Sequence, residues 1–270
     1  MSRRPKRSLG QNFLNRPSVA NRIVEEIDLC PGDTVLEIGP GRGALTEGLA
    51  RRVGEVEGRL VLVELDDDLA ADLRTRFQGD PRVDVLHEDI LATRIADVVP
   101  RPEALEVVGN IPYNLTSPIL FHILARPRPR GILLMVQREV AERILAEPGT
   151  REYGALSVGI RTVAQVEKVL SVPRTAFRPR PTVDSTVIRI RPFSPAPLDE
   201  REEGRLRDLT RALFQWRRKQ LGKILRDHPD LGLSSDTIDR ALAAASAVPR
   251  DRPETLSPAG FITLARAISD

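Results

Sequence analysis

Cysteine, histidine and aromatic residues are scarce in this sequence of 270 residues. The single cysteine, Cys30, excludes an internal disulfide and a cysteine-rich metal site, and it fits a reducing compartment. The three histidines are His87, His122 and His228. An isolated histidine is more often a structural residue than a catalytic one, so we interpret His87 and His122 as structural. His228 precedes Pro229 and is interpreted as a loop residue, and we expect no metal site.

Long apolar runs are also absent. No uninterrupted apolar segment is long enough to span a membrane, and the N-terminus lacks the hydrophobic core of a signal peptide. We therefore expect a cytoplasmic protein without a membrane partner. Hydrophobic residues make up 41% and charged residues 29%, the ordinary balance of a soluble protein. A length of 270 residues favours one large domain plus a smaller one. Nothing in the sequence requires more than a monomer.

The charge is moderately basic and is carried almost entirely by arginine. The net charge is +3 and the isoelectric point is about 9.4. Arginine binds phosphate in a bidentate manner and stacks on bases, so the bias suits RNA, although genome composition produces the same bias. Four basic residues form an N-terminal arm, which we expect to become ordered only with RNA or cofactor: Arg3, Arg4, Lys6 and Arg7.

A glycine-rich turn follows the first predicted buried strand. The strand TVLEI, Thr34 to Ile38, runs into GPGRG, and a helical pattern follows. Glycines at such a turn allow a positive φ and a close approach of the backbone to a ligand. Gly39 and Gly41 match the first two glycines of the dinucleotide fingerprint, but Ala44 stands where the third would fall. On the turn alone, a dinucleotide site, an S-adenosylmethionine site and an ordinary tight turn remain open.

Acidic residues follow the next two predicted strands. Leu60 to Glu64 (LVLVE) ends in a carboxylate roughly 20 residues after the glycine turn, where it is placed to hold both hydroxyls of a ribose. Val83 to Leu86 leads to Asp89, which is placed to accept from an adenine amino group. We interpret Asp67 and Asp68 as solvated acids at the start of a helix, where negative charge is favourable.

The run GNIPYN, from Gly109 to Asn114, predicts transfer of a methyl group to an exocyclic amine. The lone pair of an aromatic amino group is delocalised into its ring, so the nitrogen is a poor nucleophile until acceptors hold both N–H bonds. Asn110 supplies one acceptor from its side chain. The carbonyl of Ile111 supplies the second, because Pro112 extends the residue before it and brings no competing N–H. Tyr113 offers a flat face on which a base can stack.

In this order the motifs resemble the small-subunit ribosomal RNA adenine N6,N6-dimethyltransferases, also called the kasugamycin-sensitivity methyltransferases. The resemblance runs nearly end to end. It comprises SLGQNFL (Ser8 to Leu14), LEIGPGRGALT (Leu36 to Thr46), VELD (Val63 to Asp66), GNIPYNLTSP (Gly109 to Pro118), QREVAERI (Gln137 to Ile144), YGALSV (Tyr153 to Val158), FRPRPTVDS (Phe177 to Ser185) and RRK (Arg217 to Lys219).

The resemblance implies a cofactor, a reaction and a partner. The reaction adds two methyl groups to each of two adjacent adenosines in a hairpin loop near the 3′ end of small-subunit rRNA, within an immature small ribosomal subunit, and it contributes to ribosome biogenesis. Tyr113 matches the aromatic residue that stacks on the target adenine. Phe177 matches a second aromatic residue, in a loop that closes over that base. A core position for Phe177 is the less favoured alternative. The S-adenosylmethionine contacts are placed on Asn12, Leu14, Gly39, Gly41, Glu64, Asp89 and Asn110.

A second basic feature lies in the C-terminal part. If residues 211 to 226 form one helix, five of its six basic residues share one face, opposite a leucine-rich face: Arg211, Arg218, Lys219, Lys223 and Arg226. A solvated basic face without a partner is the alternative, and Gly222 would void the argument if it broke the helix. The family usually carries Asn or Gln where this chain has Trp216 and Gly222. The expected RNA-binding residues here are Arg217, Arg218, Lys219 and Lys223.

The order of predicted elements indicates an α/β fold. We expect a Rossmann-like methyltransferase sheet with helices on both faces, and a small all-α C-terminal domain. The catalytic domain is predicted over residues 1–192, including the arm and donor motif at 1–15, and the helical domain over 199–270. The prolines between them read as a linker. Strands are expected near Thr34, Leu60, Val83, Leu105 and Ile132, with an antiparallel edge pair at 157–170 and 184–190.

Two other functions remain open from the sequence. One is the erythromycin-resistance type of methyltransferase, which modifies a large-subunit rRNA adenine and shares the GNIPYN style of site. FRPRPTVDS and the helical tail favour the small-subunit enzyme. The other is a non-catalytic RNA-binding or transcription-factor role. Intact Asn110, Pro112 and Tyr113, together with Glu64 and Asp89, argue against it.

Overall fold

The structure is a computed structural model that describes residues 11–99 and 101–268. Nine strands form the sheets within these residues. The basic arm of Arg3, Arg4, Lys6 and Arg7 lies outside these residues. The strands are β1 (Phe13–Leu14), β2 (Thr34–Ile38), β3 (Arg59–Glu64), β4 (Val83–His87), β5 (Leu105–Asn110), β6 (Gly131–Gln137), β7 (Ala164–Val172), β8 (Phe177–Arg178) and β9 (Ser185–Pro192).

Helices connect the strands and form the C-terminal part. The first helix, α1, begins with Pro17, and proline is well suited to this position because the first amides of a helix have no partner within it. The helices are α1 (Pro17–Glu25), α2 (Thr46–Glu55), α3 (Asp67–Arg76), α4 (Ile95–Val98), α5 (Thr116–Ile123), α6 (Arg138–Leu145), α7 (Ala155–Arg161), α8 (Glu200–Gln215), α9 (Leu221–Asp227), α10 (Ser235–Ala244) and α11 (Pro258–Ala267).

The main sheet has seven strands in the order β4-β3-β2-β5-β6-β9-β7. The five strands from β4 to β6 are parallel, and β9 is antiparallel to β6. Strands such as β2 and β3 are almost wholly buried, which explains their unbroken apolar sequences. The predicted α/β fold, with its mostly parallel sheet, connecting helices and C-terminal helices, is confirmed.

The strand order reverses between β2 and β5. From β2 the chain proceeds outward through β3 and β4, and then returns to β5 on the other side of β2. Open α/β sheets bind ligands at the carboxyl ends of their strands at such a point. A side chain is not tolerated at Gly109, because a Cβ there would lie 2.6 Å from the Ile38 carbonyl oxygen. This close approach brings the end of β5 against the end of β2.

A buried ion cluster fixes the opposite, amino-terminal edge of this sheet. Arg130, just before β6, donates to both oxygens of Asp33 at 3.1 and 2.6 Å and to Glu106 at 2.8 Å. Burial raises the pKa of Glu106 to about 6, and the nearby guanidinium opposes that shift. The cluster ties the starts of β2, β5 and β6 together and leaves the carboxyl ends for the site.

Two compact units make up the chain. Unit 1 comprises Met1–Ala141 and Glu167–Pro192, and unit 2 comprises Glu142–Val166 and Phe193–Asp270. Unit 2 has its own core, in which the Phe214 and Phe261 rings stack at 5.8 Å.

The unit boundary differs from the expected one at residues 142–166, which were expected in the catalytic domain. Tyr153 explains this, because its buried hydroxyl donates to the Leu256 carbonyl at 2.8 Å and so binds the segment to the C-terminal helices. The expected strand 157–170 is also wrong at its start. Residues 157–161 belong to α7, and β7 begins at Ala164. The pair β9 and β7 does stand at the sheet edge.

The basic segment 211–226 is not one helix. Helix α8 ends at Gln215 and α9 begins at Leu221, so the predicted single basic face does not exist. The break precedes Gly222, which is buried against Pro249. Within the described residues, no helix is both long and apolar enough to cross a membrane.

Candidate active site

The carboxyl ends of four parallel strands meet at one cleft. The strand register places Ile38 beside Val63 and Gly109, and Glu64 beside His87. The residues that follow these strands must therefore lie side by side. The space between the protein atoms here is about 1150 Å³, counting the part open to solvent, and it is lined by all the predicted donor contacts: Asn12, Leu14, Gly39, Gly41, Glu64, Asp89 and Asn110.

The glycine turn is left-handed at three positions. The φ angles are 62° at Gly39, 59° at Gly41 and 82° at Gly43, values that residues with a side chain rarely adopt. A Cβ on Gly41 would also lie 3.1 Å from the Phe13 ring. Arg42 in the same turn stacks its guanidinium over that ring at 4.5 Å. The turn and the N-terminal donor motif are thus packed directly together, a contact that the sequence analysis did not predict.

Glu64 is held by backbone amides at the end of β3. Its Oε2 accepts from the Gly41 N–H and its Oε1 from the Asp66 N–H, both at 2.9 Å. The side chain is 6% exposed. Burial raises the pKa of Glu64, while these two amides favour the ionised form. A carboxylate has about four acceptor positions, so the side chain can accept a further hydrogen bond from a ligand in the cleft.

Asp89 is fixed at the next strand end. Its Oδ1 accepts from the Leu91 N–H at 2.9 Å, and the residue lines the cleft. Two apolar residues that the sequence analysis missed also line the cleft, Leu65 and Ile90. Leu65 is 45% exposed, which is unusual for leucine and provides an apolar surface for a flat ring. Each directly follows a predicted strand-end acid, Glu64 or Asp89, and this position in the sequence is a signal that could have identified it.

Asn110 has a defined orientation. Its Nδ2 donates to the Asn12 carbonyl at 2.9 Å. A carbonyl can only accept, so the amide nitrogen must face Asn12 and Oδ1 is free to accept from a ligand. The Ile111 carbonyl forms no hydrogen bond within the described residues and is a second acceptor beside it. The structure therefore brings together the two acceptors that the sequence predicts.

Tyr113 is anchored through its hydroxyl. The Tyr113 and Ser185 oxygens are 2.6 Å apart, and the ring lines the cleft. Burial raises the pKa of Tyr113, so the phenol stays neutral and the ring remains tethered. Ser185 begins β9, and its role was not recognised in the sequence. Pro112 turns the chain from β5 into this position and lines the same cleft.

Phe177 does not lie in the cleft, which corrects the role expected from the family resemblance. The side chain is 3% exposed and packs in the core of unit 1 beside Leu14, Val172 and Ala176. Its strand β8 pairs with β1, where Phe177 is opposite Leu14 and Arg178 opposite Phe13. In this structure Phe177 is a core residue, and its strand β8 supports the donor motif through its pairing with β1.

A buried acid lies directly below the glycine turn. Glu37 is 2% exposed and lines the cleft, and its Oε2 has no hydrogen-bond partner among the described residues. The buried hydroxyl of Thr46 lies beside this side chain and favours its ionised form. Burial, with a smaller contribution from Glu64, raises the pKa of Glu37 to about 8. Unpaired buried polar atoms are costly in a folded protein, which is typical of positions completed by a ligand.

The histidines and the C-terminal cations are not part of the cleft. His122 bonds the Thr93 carbonyl at 2.8 Å, and His228 is buried against Gln215 at 3.0 Å, as structural residues would be. His87 contacts Asp67 at 2.6 Å. Arg217, Arg218, Lys219 and Lys223 all belong to unit 2.

Fold and site together define an S-adenosylmethionine-dependent methyltransferase: a glycine turn, a buried acid and an Asn-X-Pro-Tyr run stand at the carboxyl ends of strands of a parallel sheet. The model of the family described as ribosomal RNA adenine dimethylase matches residues 2–246. The chain belongs to that family.

Proteins and structures similar to the chain agree with this assignment. The ribosomal RNA small subunit methyltransferase A of Geobacter metallireducens is 40% identical over 98% of this chain and 96% of that protein. The protein of the same name from Geobacillus thermodenitrificans is 39% identical over 97% and 90%. The crystal structure of the 23S rRNA methyltransferase ErmE superposes with a TM-score of 0.72 at 28% identity, covering 96% of this chain and all of that one. A dimethyladenosine transferase from Plasmodium falciparum shares the fold, with a TM-score of 0.76 at 24% identity over 93% and 95%.

Asn110→Ala should lower the rate of methyl transfer by about 10²–10³, because it removes a preorganised acceptor for the reacting amine. Single-turnover transfer from tritiated donor measures the rate, and circular dichroism checks that the fold is intact. Asn21→Ala, the same change on the exposed surface of α1, is the control. A near-normal rate in Asn110→Ala would remove this side chain from the mechanism.

Glu64→Ala should weaken donor binding by about tenfold to a hundredfold, the effect of losing hydrogen bonds to a charged group. RNA binding should change little, because Glu64 lies at the donor end of the cleft. Calorimetric titration with S-adenosylmethionine measures the affinity for the donor, and a filter-binding titration measures the affinity for RNA. Glu55→Ala, a change at an exposed position, is the control. Equal losses in both titrations would contradict the ribose role.

Glu37 should make stability depend on pH. Its pKa rises from 4.5 when unfolded to about 8 when folded, so the folded state holds the proton more tightly. Its contribution is fully present below pH 4.5 and is lost as the pH rises toward 8, by at most about 1.4 kcal/mol per pH unit. Glu37→Gln should therefore gain stability over the wild type as the pH rises through this window in urea unfolding, and the exposed Glu55→Gln should not. If the free energies of unfolding of wild type and Glu37→Gln change in parallel with pH, this prediction is refuted.

Proposed function

We propose that the protein transfers methyl groups from S-adenosylmethionine to N6 of two adjacent adenosines in a 3′-terminal hairpin loop of small-subunit rRNA, giving N6,N6-dimethyladenosine. The observation that carries the proposal is the fixed Asn110 amide, whose oxygen is directed away from the Asn12 carbonyl and toward the cleft. The donor contacts line the same cleft, so amine and methyl group would meet there.

The acceptor side of the reaction depends on hydrogen bonds that raise the nucleophilicity of the amine. Asn110 Oδ1 and the Ile111 carbonyl accept the two N–H bonds of N6 and so turn its lone pair toward the donor. The donor supplies an electrophilic methyl group on a sulfonium. Alignment of nitrogen, carbon and sulfur then contributes about 7–11 kcal/mol. No strong general base is required, because the proton leaves after the nitrogen has become cationic.

The target base must leave its stack to reach the cleft, which costs a few kcal/mol. Stacking on an aromatic residue returns about 1–3 kcal/mol per base. Tyr113 is the aromatic in position to do this, because its hydroxyl is bound to Ser185 and its ring is held in the cleft. A ring that is already fixed loses little side-chain entropy when the base arrives. Tyr113 thus offsets the extrusion of the adenine.

The donor segment of the site is supported from both sides. Arg42 covers the ring of Phe13, which lies between Asn12 and Leu14, and the strand β1 formed by Phe13 and Leu14 is paired to β8. Asn15 also donates to the Ala176 carbonyl at 2.8 Å. We propose unit 1 as the catalytic domain, with these contacts holding the N-terminal donor motif over the glycine turn.

Identity over the full length favours small-subunit rRNA as the substrate over large-subunit rRNA. The relatives that share 39–40% of the sequence are named for the small subunit, whereas the large-subunit enzyme ErmE shares 28%. A purely RNA-binding role is disfavoured by the complete set of donor contacts and acceptors in the cleft. We further propose that the substrate is an immature small subunit, that the enzyme acts as a monomer, and that it works in the cytoplasm where such particles are assembled.

Identification of the methyl acceptor tests the proposal. The protein is incubated with tritiated S-adenosylmethionine and either immature small subunits or protein-free large-subunit rRNA, and the labelled adenosines are mapped by mass spectrometry. Two adjacent dimethyladenosines near the 3′ end of small-subunit rRNA are expected. Label confined to large-subunit rRNA would replace the proposal with the erythromycin-resistance activity, and no label in either would support a binding role alone.

Removal of residues 1–7, which carry the basic arm of Arg3, Arg4, Lys6 and Arg7, should flatten the salt dependence of RNA binding. Each phosphate contact releases counterions, so losing up to four of them should lower the slope of log affinity against log salt by as much as about 3.6. Binding at several salt concentrations measures the slope. A variant with Gln at all four positions separates charge from length. An unchanged slope would show that the arm does not contact RNA.

A further inference from the structure

Arg76, the last residue of α3, reaches the glycine turn, residues 39–43, from outside the cleft. Its Nη1 donates to the Arg42 carbonyl at 3.1 Å, across 34 residues of sequence. A Cβ on Gly43 would lie 2.3 Å from the same nitrogen, so the guanidinium occupies the space that a side chain at this position would need. Arg76 itself is not part of the cleft lining. It contacts the donor site through the main chain of the turn.

The peptide unit between Arg42 and Gly43 is held on both sides. In a planar trans peptide the C=O and the N–H point in opposite directions. The Arg42 carbonyl faces Arg76, and the Gly43 N–H donates to the Pro40 carbonyl at 2.9 Å. Rotation of this peptide unit would therefore break both hydrogen bonds. Of the two partners, Pro40 belongs to the turn itself, whereas Arg76 comes from another helix.

Glycine makes an external contact of this kind necessary. Gly43 has a φ of 82°, and glycine adopts positive and negative φ about equally readily. A flip of the peptide changes mainly ψ of Arg42 and φ of Gly43, so no Cβ at position 43 opposes it. A hydrogen bond from a charged donor is stronger than one between neutral groups. The Arg76 contact thus favours one of the two orientations that the glycine allows.

The neighbouring contacts of the donor site depend on this orientation. Gly41 donates its N–H to the Glu64 carboxylate at 2.9 Å. The Arg42 guanidinium stacks on the Phe13 ring, 4.5 Å from its centroid, within the N-terminal donor motif. Because the Arg42 side chain leaves the same backbone, a rotated peptide would disturb its contact with Phe13. The turn therefore connects the end of β3 with the N-terminal motif in one backbone conformation.

The ion pair between Arg76 and Glu47 explains the position of the guanidinium less well. Nη1 lies 3.6 Å from a Glu47 carboxylate oxygen, and the Glu47 side chain is mostly exposed. Exposed ion pairs of this kind contribute little to stability. The distance to the Arg42 carbonyl, by contrast, is that of an ordinary hydrogen bond. The contact with the turn is the more significant one.

We propose that Arg76 is a positioning residue for donor binding, which holds the peptide between Arg42 and Gly43 in the orientation that fits S-adenosylmethionine. The inference rests on the proposed function, in that the glycine turn is taken to be part of the donor site. Arg76 acts through the turn and not on the reacting atoms. Its loss should therefore weaken donor binding and leave methyl transfer from bound donor unchanged.

Arg76→Gln compared with Arg74→Gln tests the proposal. Arg74 is at the same end of α3 and also donates to a main-chain carbonyl, but that carbonyl belongs to Val85 and not to the glycine turn. In calorimetric titration, Arg76→Gln should bind S-adenosylmethionine about threefold to tenfold more weakly, the effect of losing one hydrogen bond. Its kcat at saturating donor should stay within about twofold of the wild-type value. Arg74→Gln should bind the donor as the wild type does.

The kinetic and binding results can overturn the proposal in two ways. Equal losses of donor affinity in Arg76→Gln and Arg74→Gln would assign the effect to general stability. A fall in kcat at saturating donor, with unchanged donor affinity, would place the effect on the chemical step instead.

Hydrogen exchange in the donor-free protein measures the turn itself. Peptides that cover residues 39–43 should exchange about threefold to tenfold faster in Arg76→Gln than in the wild type, because a contact that opposes local opening is lost. Saturating donor should restore their protection. Arg76→Lys, which keeps a charged donor, should show a smaller change in both exchange and donor affinity. Exchange at the wild-type rate in Arg76→Gln would show that the turn does not depend on Arg76.

The two proposals fail in different ways, because donor binding and hydrogen exchange are measured without RNA. If the wild type methylates small subunits but Arg76→Gln binds the donor normally, the positioning role alone is refuted. If Arg76→Gln weakens donor binding but the labelled adenosines lie in large-subunit rRNA, the proposed substrate is refuted and the role of Arg76 is supported.

Discussion

The hydrogen bond from the Asn110 amide to the Asn12 carbonyl connects residues 98 apart in sequence and decides which atom of Asn110 faces the cleft. The orientation follows from elementary chemistry, since a main-chain oxygen accepts and never donates. The carbonyl is positioned by the strand that follows it, and that strand is held by β8 and by the glycine turn. The reactive geometry of the acceptor therefore depends on the donor half of the site being folded.

The register of the parallel sheet supplies the remaining constraint. Four strands end at the same level, so a short side chain after each strand is enough to reach the cleft. The approach of β5 to β2 requires glycine at position 109, because the Ile38 carbonyl occupies the space of a Cβ. Rigid strands thus fix the ligand contacts, and the buried Arg130 cluster holds the other edge of the same strands.

The sequence predicted the features that depend on local pattern. The five parallel strands, the glycine turn and the strand-end acids Glu64 and Asp89 all follow from short apolar runs and the residue directly after them. It did not predict contacts that need the tertiary fold, such as the Tyr113 to Ser185 bond or the packing of Arg42 on Phe13. The prediction of one helix over residues 211–226 was wrong for a related reason. A helical wheel assumes a continuous helix, and the turn at Trp216 to Lys219 interrupts it.

The lone thiol of Cys30 lies on the far side of this architecture from the chemistry. It is exposed, and its backbone N–H is bonded to Asp33 immediately before β2 begins. The five residues of β2 separate it from the glycine turn by about 17 Å of extended chain. A maleimide dye would therefore attach at one defined position, away from the cleft, and would report binding of ribosomal RNA without an engineered label.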